Sequence, residues 1–78
     1  PRKLSYKEQR ELEGMEAAIL EAEAAKEELG ARLADPALYA APPEEAARVG
    51  AAFREVTERV EALYARWAEL EEIRTAAG

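Results

Sequence analysis

The stretch between residues 33 and 45 reads LADPALYAAPPEE, and it separates two long helical patterns. Asp35 precedes Pro36, and the residue before a proline avoids the α region, so we expect the first long helix to end there. Residues 36–42 are predicted to form a turn. Pro43 suits the first position of a new helix, and the two glutamates that follow it favour the positive end of the helix dipole.

On both sides of this stretch, positions spaced alternately three and four residues apart are mostly apolar, which is the pattern of a coiled-coil seam. The pattern predicts one long helix over residues 15–35 and a second over residues 43–75. In an antiparallel pair of helices, the numbers of two facing residues add up to the same value in every layer. A sum of 82 pairs the seam positions of the two helices in seven layers. The predicted layers are Leu12–Leu70, Met15–Trp67, Ile19–Leu63, Ala22–Val60, Lys26–Val56, Leu29–Phe53 and Leu33–Val49. The sequence therefore predicts an all-α fold, an antiparallel two-helix coiled-coil hairpin.

Residues 1–13 are predicted to form a basic lead-in and a short helix before the hairpin. Ser5 and Glu8 match the S-x-x-E capping box, which places Ser5 at the N-cap and starts this helix near Tyr6. Gly14 lies between the short helix and the apolar seam, and we expect a kink or break there. The whole chain is predicted to be one domain.

The composition excludes several classes of protein. Ala, Glu, Leu, Arg and Lys supply 54 of the 78 residues, as is typical of long helices and coiled coils. Cys and His are absent, which removes thiol nucleophiles and the commonest general base and metal ligand. We expect no catalysis, cofactor or metal site in this chain.

The sequence has neither an apolar run long enough to span a bilayer nor a signal-peptide pattern. We therefore expect a cytoplasmic protein that makes no contact with membranes. The chain begins at Pro1 without a methionine, and we expect it to be part of a longer protein.

The charge is unevenly distributed along the chain, whose net charge is −6. The first ten residues carry a single glutamate and four basic side chains, Arg2, Lys3, Lys7 and Arg10, which are candidate contacts to nucleic-acid phosphates. Lys3, Lys7 and Arg10 are spaced by four and three residues, so a continuous helix would place them on one side. The same constant sum places Arg74 opposite position 8, at the same end of the hairpin. The alternative is that this segment is only a solvated linker.

The aromatic residues allow structural and functional interpretations. Tyr6 is a candidate for stacking on a base, although packing against the facing helix is favoured. Trp67 lies at a seam position and is predicted to be in the core, with Tyr64 covering it in part. Leu38 and Tyr39, in the predicted turn, either contact a partner or close the open end of the hairpin, and closing is favoured.

Three stretches of the chain together resemble the C-terminal coiled-coil domain of Uup-type ABC-F ATPases: KLSYKEQRELE at residues 3–13, LADPALY at 33–39 and YARW at 64–67. The resemblance implies a helical hairpin that follows two ATP-binding cassettes in a cytoplasmic bacterial protein. It also implies DNA binding by this domain and, for the wider family, association with the ribosome and hence with ribosomal RNA. ATP would be bound by the parent protein, because these residues contain no G-x-x-x-x-G-K-[ST] phosphate loop.

Two functions remain open at this point. The first is a nucleic-acid-binding accessory domain that positions the parent protein on DNA or on the ribosome. The second is a structural or protein-interaction arm without nucleic-acid contact, in which the basic residues are incidental. In either case we expect the fragment to be monomeric, because a short turn makes the entropic cost of pairing two helices of one chain lower than that of associating two chains.

Overall fold

The computed structural model describes residues 2–78, and it contains four helices and no strand within that range. The helices are α1 (Tyr6–Glu13), α2 (Met15–Ala34), α3 (Pro36–Ala40) and α4 (Pro43–Ala77). The predicted all-α class is confirmed. The predicted basic lead-in begins at Pro1, which lies outside the described residues.

The start of α1 is fixed by the capping box that the sequence predicts. The Glu8 N–H donates to Ser5 Oγ at 3.1 Å, and the Ser5 N–H donates to Glu8 Oε1 at 2.9 Å. Each hydrogen bond satisfies an amide that has no partner inside the helix. The predicted N-cap at Ser5 is therefore confirmed.

A single residue, Gly14, separates α1 from α2, with φ −91° and ψ −2°. Its N–H donates to the Arg10 carbonyl at 3.3 Å, and its own carbonyl accepts from the Ala18 N–H at 3.1 Å. The predicted break at Gly14 is confirmed, and it is small, because hydrogen bonding continues from one helix into the next.

The segment predicted to be a turn, residues 36–42, contains the short helix α3. Asp35 Oδ1 accepts a hydrogen bond from the Ala37 N–H at 2.9 Å, and Pro36 occupies the first helical position. The predicted turn thus includes a helix of five residues, because the Asp-Pro pair that ends α2 also has the chemistry that begins a helix.

Helix α3 packs against both α2 and α4 through Leu38, which is buried. Tyr39 donates a hydrogen bond from its hydroxyl to the Leu33 carbonyl at 2.6 Å, although its side chain remains 63% exposed. Leu38 therefore closes this end of the molecule, as favoured from the sequence, and Tyr39 ties α3 to the last turn of α2.

The main contact between elements is that of α2 with α4. All of the predicted seam positions are buried or partly buried. Hydrogen bonds between side chains also link the two halves of the chain, joining Glu11 to Arg66, Glu23 to Tyr64 and Arg32 to Glu45. In these pairs the second residue number falls as the first rises.

The core is concentrated near α1. Met15, Ile19 and Leu70 form its buried cluster, and four partly buried residues pack against them: Leu4, Leu12, Leu63 and Trp67. Trp67 therefore borders the core and is not fully enclosed by it. The Tyr64 ring lies 6.3 Å from the Trp67 ring, centre to centre, and is 44% exposed, as expected of a partial cover.

The molecule is elongated, with extents of 56 × 16 × 15 Å and a radius of gyration of 17.2 Å over Cα atoms. No helix in residues 2–78 combines the length and the apolar character that crossing a membrane requires.

Candidate nucleic-acid interface

The exposed side of α1 presents an aromatic ring among positive charges. Tyr6 and Arg10 are four residues apart on this helix, and Lys7 and Arg10 are three apart, so the three side chains are neighbours on its surface. All three are exposed, whereas Glu8 and Leu12 of the same helix are partly buried. We call Tyr6, Lys7 and Arg10 the α1 face.

Tyr6 is 79% exposed, so the prediction that it packs against the facing helix is wrong. The physical reason is its position on α1, because the seam continues back from Met15 through Leu12 and Glu8, and Tyr6 is not at a seam position. The partly buried residues of α1 are Glu8 and Leu12, and they leave Tyr6 on the opposite side.

Lys3 lies outside α1, because α1 begins after Ser5 and Lys3 is not helical. The helix that contains Lys7 and Arg10 does not extend back to Lys3, so helical spacing does not relate Lys3 to these two residues. Lys3 instead borders an open groove of about 430 Å³, whose lining includes Leu4, Leu12 and Arg74. The groove places Arg74 at this end of the molecule, as the constant sum predicted.

Arg2 is engaged with a carboxylate. Its Nη1 and Nη2 atoms donate to Glu8 Oε1 and Oε2, each at 2.7 Å. This bidentate hydrogen bonding, together with the Ser5 N–H, lowers the pKa of Glu8 from 4.5 to about 2. Glu8 in turn raises the pKa of Arg2. Arg2 would have to leave Glu8 in order to contact a phosphate.

Arg66 of α4 joins the two halves of the chain at the same end. Its Nε and Nη2 atoms donate to the two carboxylate oxygens of Glu11, each at 2.8 Å. It also contacts Glu69, and its Nη2 lies 3.8 Å from Glu8 Oε2. These hydrogen bonds lower the pKa of Glu11 and raise that of Arg66.

The sequence interpretation gave Arg66 no role, although it lies in the YARW stretch at 64–67. A further signal was available, because Glu8 and Glu11 are three residues apart on one short helix and need a basic partner when that helix packs. Which arginine supplies it depends on how α1 lies against α4, and the seam pattern does not contain that information.

The basic residues differ in how firmly they are paired. Among residues 2–78, Lys3 and Lys7 form no ion pair, and Arg10 approaches only Glu13, at 4.0 Å. An exposed cation without a close carboxylate is available to an anionic ligand. Glu11 and Glu13 are nearby and repel phosphate, so an anion would be bound at only a few points.

The same range of residues contains no group of three acidic side chains close enough to hold a metal ion. The chemistry available at this end of the molecule is therefore charge attraction by Lys3, Lys7 and Arg10, together with the ring of Tyr6.

Comparison with known proteins identifies the family of this chain. Residues 3–72 match the family model described as the ABC transporter C-terminal domain, a range that includes α1, α2, α3 and most of α4. Searches of curated proteins and of solved structures find no match. The matched range covers the α1 face, Arg66 and every layer of the seam, which is far more than half of the sequence. This chain belongs to the ABC transporter C-terminal domain family.

Proposed function

We propose that this chain is the nucleic-acid-binding arm of a Uup-type ABC-F ATPase, folded as an antiparallel two-helix coiled-coil hairpin with a short N-terminal helix. The falling residue numbers of the pairs Glu11–Arg66, Glu23–Tyr64 and Arg32–Glu45 support the antiparallel arrangement. The stretches at 3–13, 33–39 and 64–67 support the Uup type, and all three lie within the family match.

The observation that carries nucleic-acid binding is that Lys3 and Lys7 are exposed and unpaired within residues 2–78, with Arg10 only loosely paired. Phosphate oxygens are bound by such cations, and these contacts supply most of the affinity for nucleic acid without regard to its sequence. The net charge of −6 repels phosphates over the rest of the surface. Binding is therefore confined to the end of the molecule that contains α1.

In this proposal DNA is the ligand of the isolated chain, and ribosomal RNA is a further target for the parent protein. The parent binds and hydrolyses ATP in its cassettes, in the cytoplasm and away from membranes. The chain itself contributes no catalysis and holds no cofactor.

Neutralising the two unpaired lysines should weaken DNA binding. We expect the double variant Lys3→Gln, Lys7→Gln to lose affinity for a short DNA duplex by about tenfold or more at low salt, since each lost phosphate contact also removes a counterion-release contribution. The unaltered chain, with Lys3, Lys7 and Arg10 in contact, should show a log–log salt slope of about −2.7 on duplex DNA. Fluorescence anisotropy at two or more salt concentrations measures both quantities.

The matched control is the double variant Arg54→Gln, Arg59→Gln. Both arginines are exposed on α4, have no ion pair within residues 2–78 and lie outside α1, so this variant loses the same charge at another place. We expect it to bind DNA nearly as well as the unaltered chain. Equal loss in the two variants would mean that only net charge matters, and no binding by the unaltered chain at low salt would favour the protein-interaction arm.

A further inference from the structure

Tyr6 is the most exposed of the large apolar side chains in residues 2–78. Within that range its hydroxyl makes no hydrogen bond, and its neighbours on the α1 face are Lys7 and Arg10. Packing in the fold therefore does not account for this ring. A single exposed aromatic side chain is common in proteins, so its surroundings must carry any argument about its role.

The other two tyrosines have different surroundings. Tyr39 donates its hydroxyl proton to the Leu33 carbonyl, and no basic residue lies between positions 33 and 47. Tyr64 donates to a carboxylate oxygen of Glu23, at 3.0 Å. Tyr6 alone among the tyrosines combines an open ring with two cations on the same side of its helix.

We propose that Tyr6 is a stacking platform for an unpaired base, so that the α1 face prefers single-stranded nucleic acid to duplex. This inference rests on the proposed function and specifies the form of its ligand. In a duplex both faces of each base are covered by neighbouring bases, whereas an unpaired base can place one face on an aromatic ring. Stacking of this kind tolerates any sequence, because every base has a π face.

The charges of the α1 face fit such a ligand. Arg10 lies four residues after Tyr6 on α1, about 6 Å along the helix axis, and Lys7 directly follows Tyr6. The phosphates that flank a stacked nucleotide therefore meet cations near the ring. Glu11 and Glu13 adjoin this surface and repel further phosphates, so the site binds a short stretch of strand.

The test compares two ligands and three substitutions at one position. The probes are a labelled single-stranded dT oligonucleotide, which has no internal base pairs, and a duplex of the same length, both at low salt. We expect Tyr6→Ala and Tyr6→Leu to bind the single strand about tenfold more weakly and to bind the duplex with less than a twofold change. Tyr6→Phe should retain single-strand affinity, because it keeps the ring.

The control is Tyr39→Ala, which removes an exposed tyrosine on α3 and should leave both affinities unchanged. Tyr6→Leu keeps an apolar side chain with good helix propensity, so it separates loss of the ring from fraying of α1. Circular dichroism of every variant checks that its helix content equals that of the unaltered chain.

The failure of this inference can be distinguished from the failure of the proposed function. Undiminished single-strand binding by Tyr6→Leu, with weaker binding by the lysine variant, would overturn stacking and leave the phosphate contacts standing. Equal weakening for single strand and duplex would also overturn it, because a duplex offers no free base. If the unaltered chain bound neither probe, both proposals would fail.

Discussion

At the scale of single residues, Glu8 organises the end of the molecule that contains α1. Its carboxylate accepts hydrogen bonds from the Ser5 N–H and from both terminal nitrogens of Arg2, and it lies 3.8 Å from Arg66. The lead-in, α1 and α4 therefore meet at one side chain. With 17% of its side chain exposed, Glu8 is the least exposed acidic group in the ion pairs of the described residues.

The lowered pKa of Glu8 predicts how stability depends on pH. Because its pKa is about 2 in the folded chain and 4.5 without these partners, folding is favoured by the ionised carboxylate. This stabilisation is fully present above about pH 4.5 and is lost as the pH falls towards 2. Glu8→Gln keeps a side chain that can complete the capping box and removes only the charge.

We therefore expect Glu8→Gln to melt at a lower temperature than the unaltered chain at pH 7, with the difference shrinking steadily between pH 4.5 and pH 2. Thermal melts followed by circular dichroism across that range measure the two midpoints. Glu16→Gln is the control, since Glu16 is exposed and forms no ion pair within residues 2–78. A difference that stayed constant with pH would show that the charge of Glu8 does not stabilise the fold.

Local sequence predicts some of these contacts and not others. The capping box can be predicted from Ser5 and Glu8 alone, because the start of any helix brings the N-cap residue close to the residue three positions later. The Arg2–Glu8 pair cannot, because Arg2 lies in a non-helical segment whose direction no periodic pattern determines. The exposure of Tyr6 was missed although the seam spacing indicates it, because stepping back from Leu12 reaches Glu8 and leaves Tyr6 off the seam.

At the scale of elements, the seam between α2 and α4 is uneven. Its buried residues near α1 form a cluster, whereas in the middle Lys26, Leu29, Phe53 and Val56 are only partly buried. A methyl group added at Gly30 would meet only the edge of the Phe53 ring, at 3.5 Å. The middle of the seam is therefore its less tightly packed part.

Lys26→Leu should stabilise the fold. Lys26 is the single charged residue among the predicted layers, and leucine would add apolar area buried against α4. We expect a gain on the order of 1 kcal/mol, which corresponds to an increase of about 4–8 °C in the melting midpoint of a chain this small. Urea unfolding and thermal melts at equal protein concentration measure the effect.

The control for this substitution is Arg54→Leu, which also replaces a cation by leucine but at an exposed position of α4. It should change stability little. A lower midpoint for Lys26→Leu, with unchanged oligomeric state, would mean that residue 26 does not face the apolar side of α4 and that the predicted register is wrong.

The segment between the long helices shows what an element-level pattern leaves out. Proline and aspartate at 35–36 predict the end of α2 because both act locally. The same two residues also cap and begin α3, and Leu38 then supplies the side chain that packs this short helix onto its neighbours. Five residues are too few for a periodic signal, so α3 could not be recognised from hydrophobic spacing.

At the scale of the whole molecule, positive charge is concentrated at one end of the long axis. The basic lead-in occupies one end of a 56 Å long body whose remaining sequence is strongly acidic. A phosphate-bearing ligand is therefore attracted to one end and repelled along the sides. The uneven charge could be read from the sequence, and so could the position of Lys3 outside α1, because the capping box at Ser5 and Glu8 predicts where α1 begins.

The elongated shape gives the last prediction. We expect small-angle scattering to give a radius of gyration near the 17.2 Å of the Cα atoms, with a small increase from hydration, and a mass of 8.6 kDa. A compact chain of 78 residues would have a radius near 12 Å. The monomeric mass follows because a short connection lets one chain bury its own seam before a second chain is met. A radius close to the compact value would contradict the hairpin, and a doubled mass at low micromolar concentration would show that the partly exposed seam is completed by another copy.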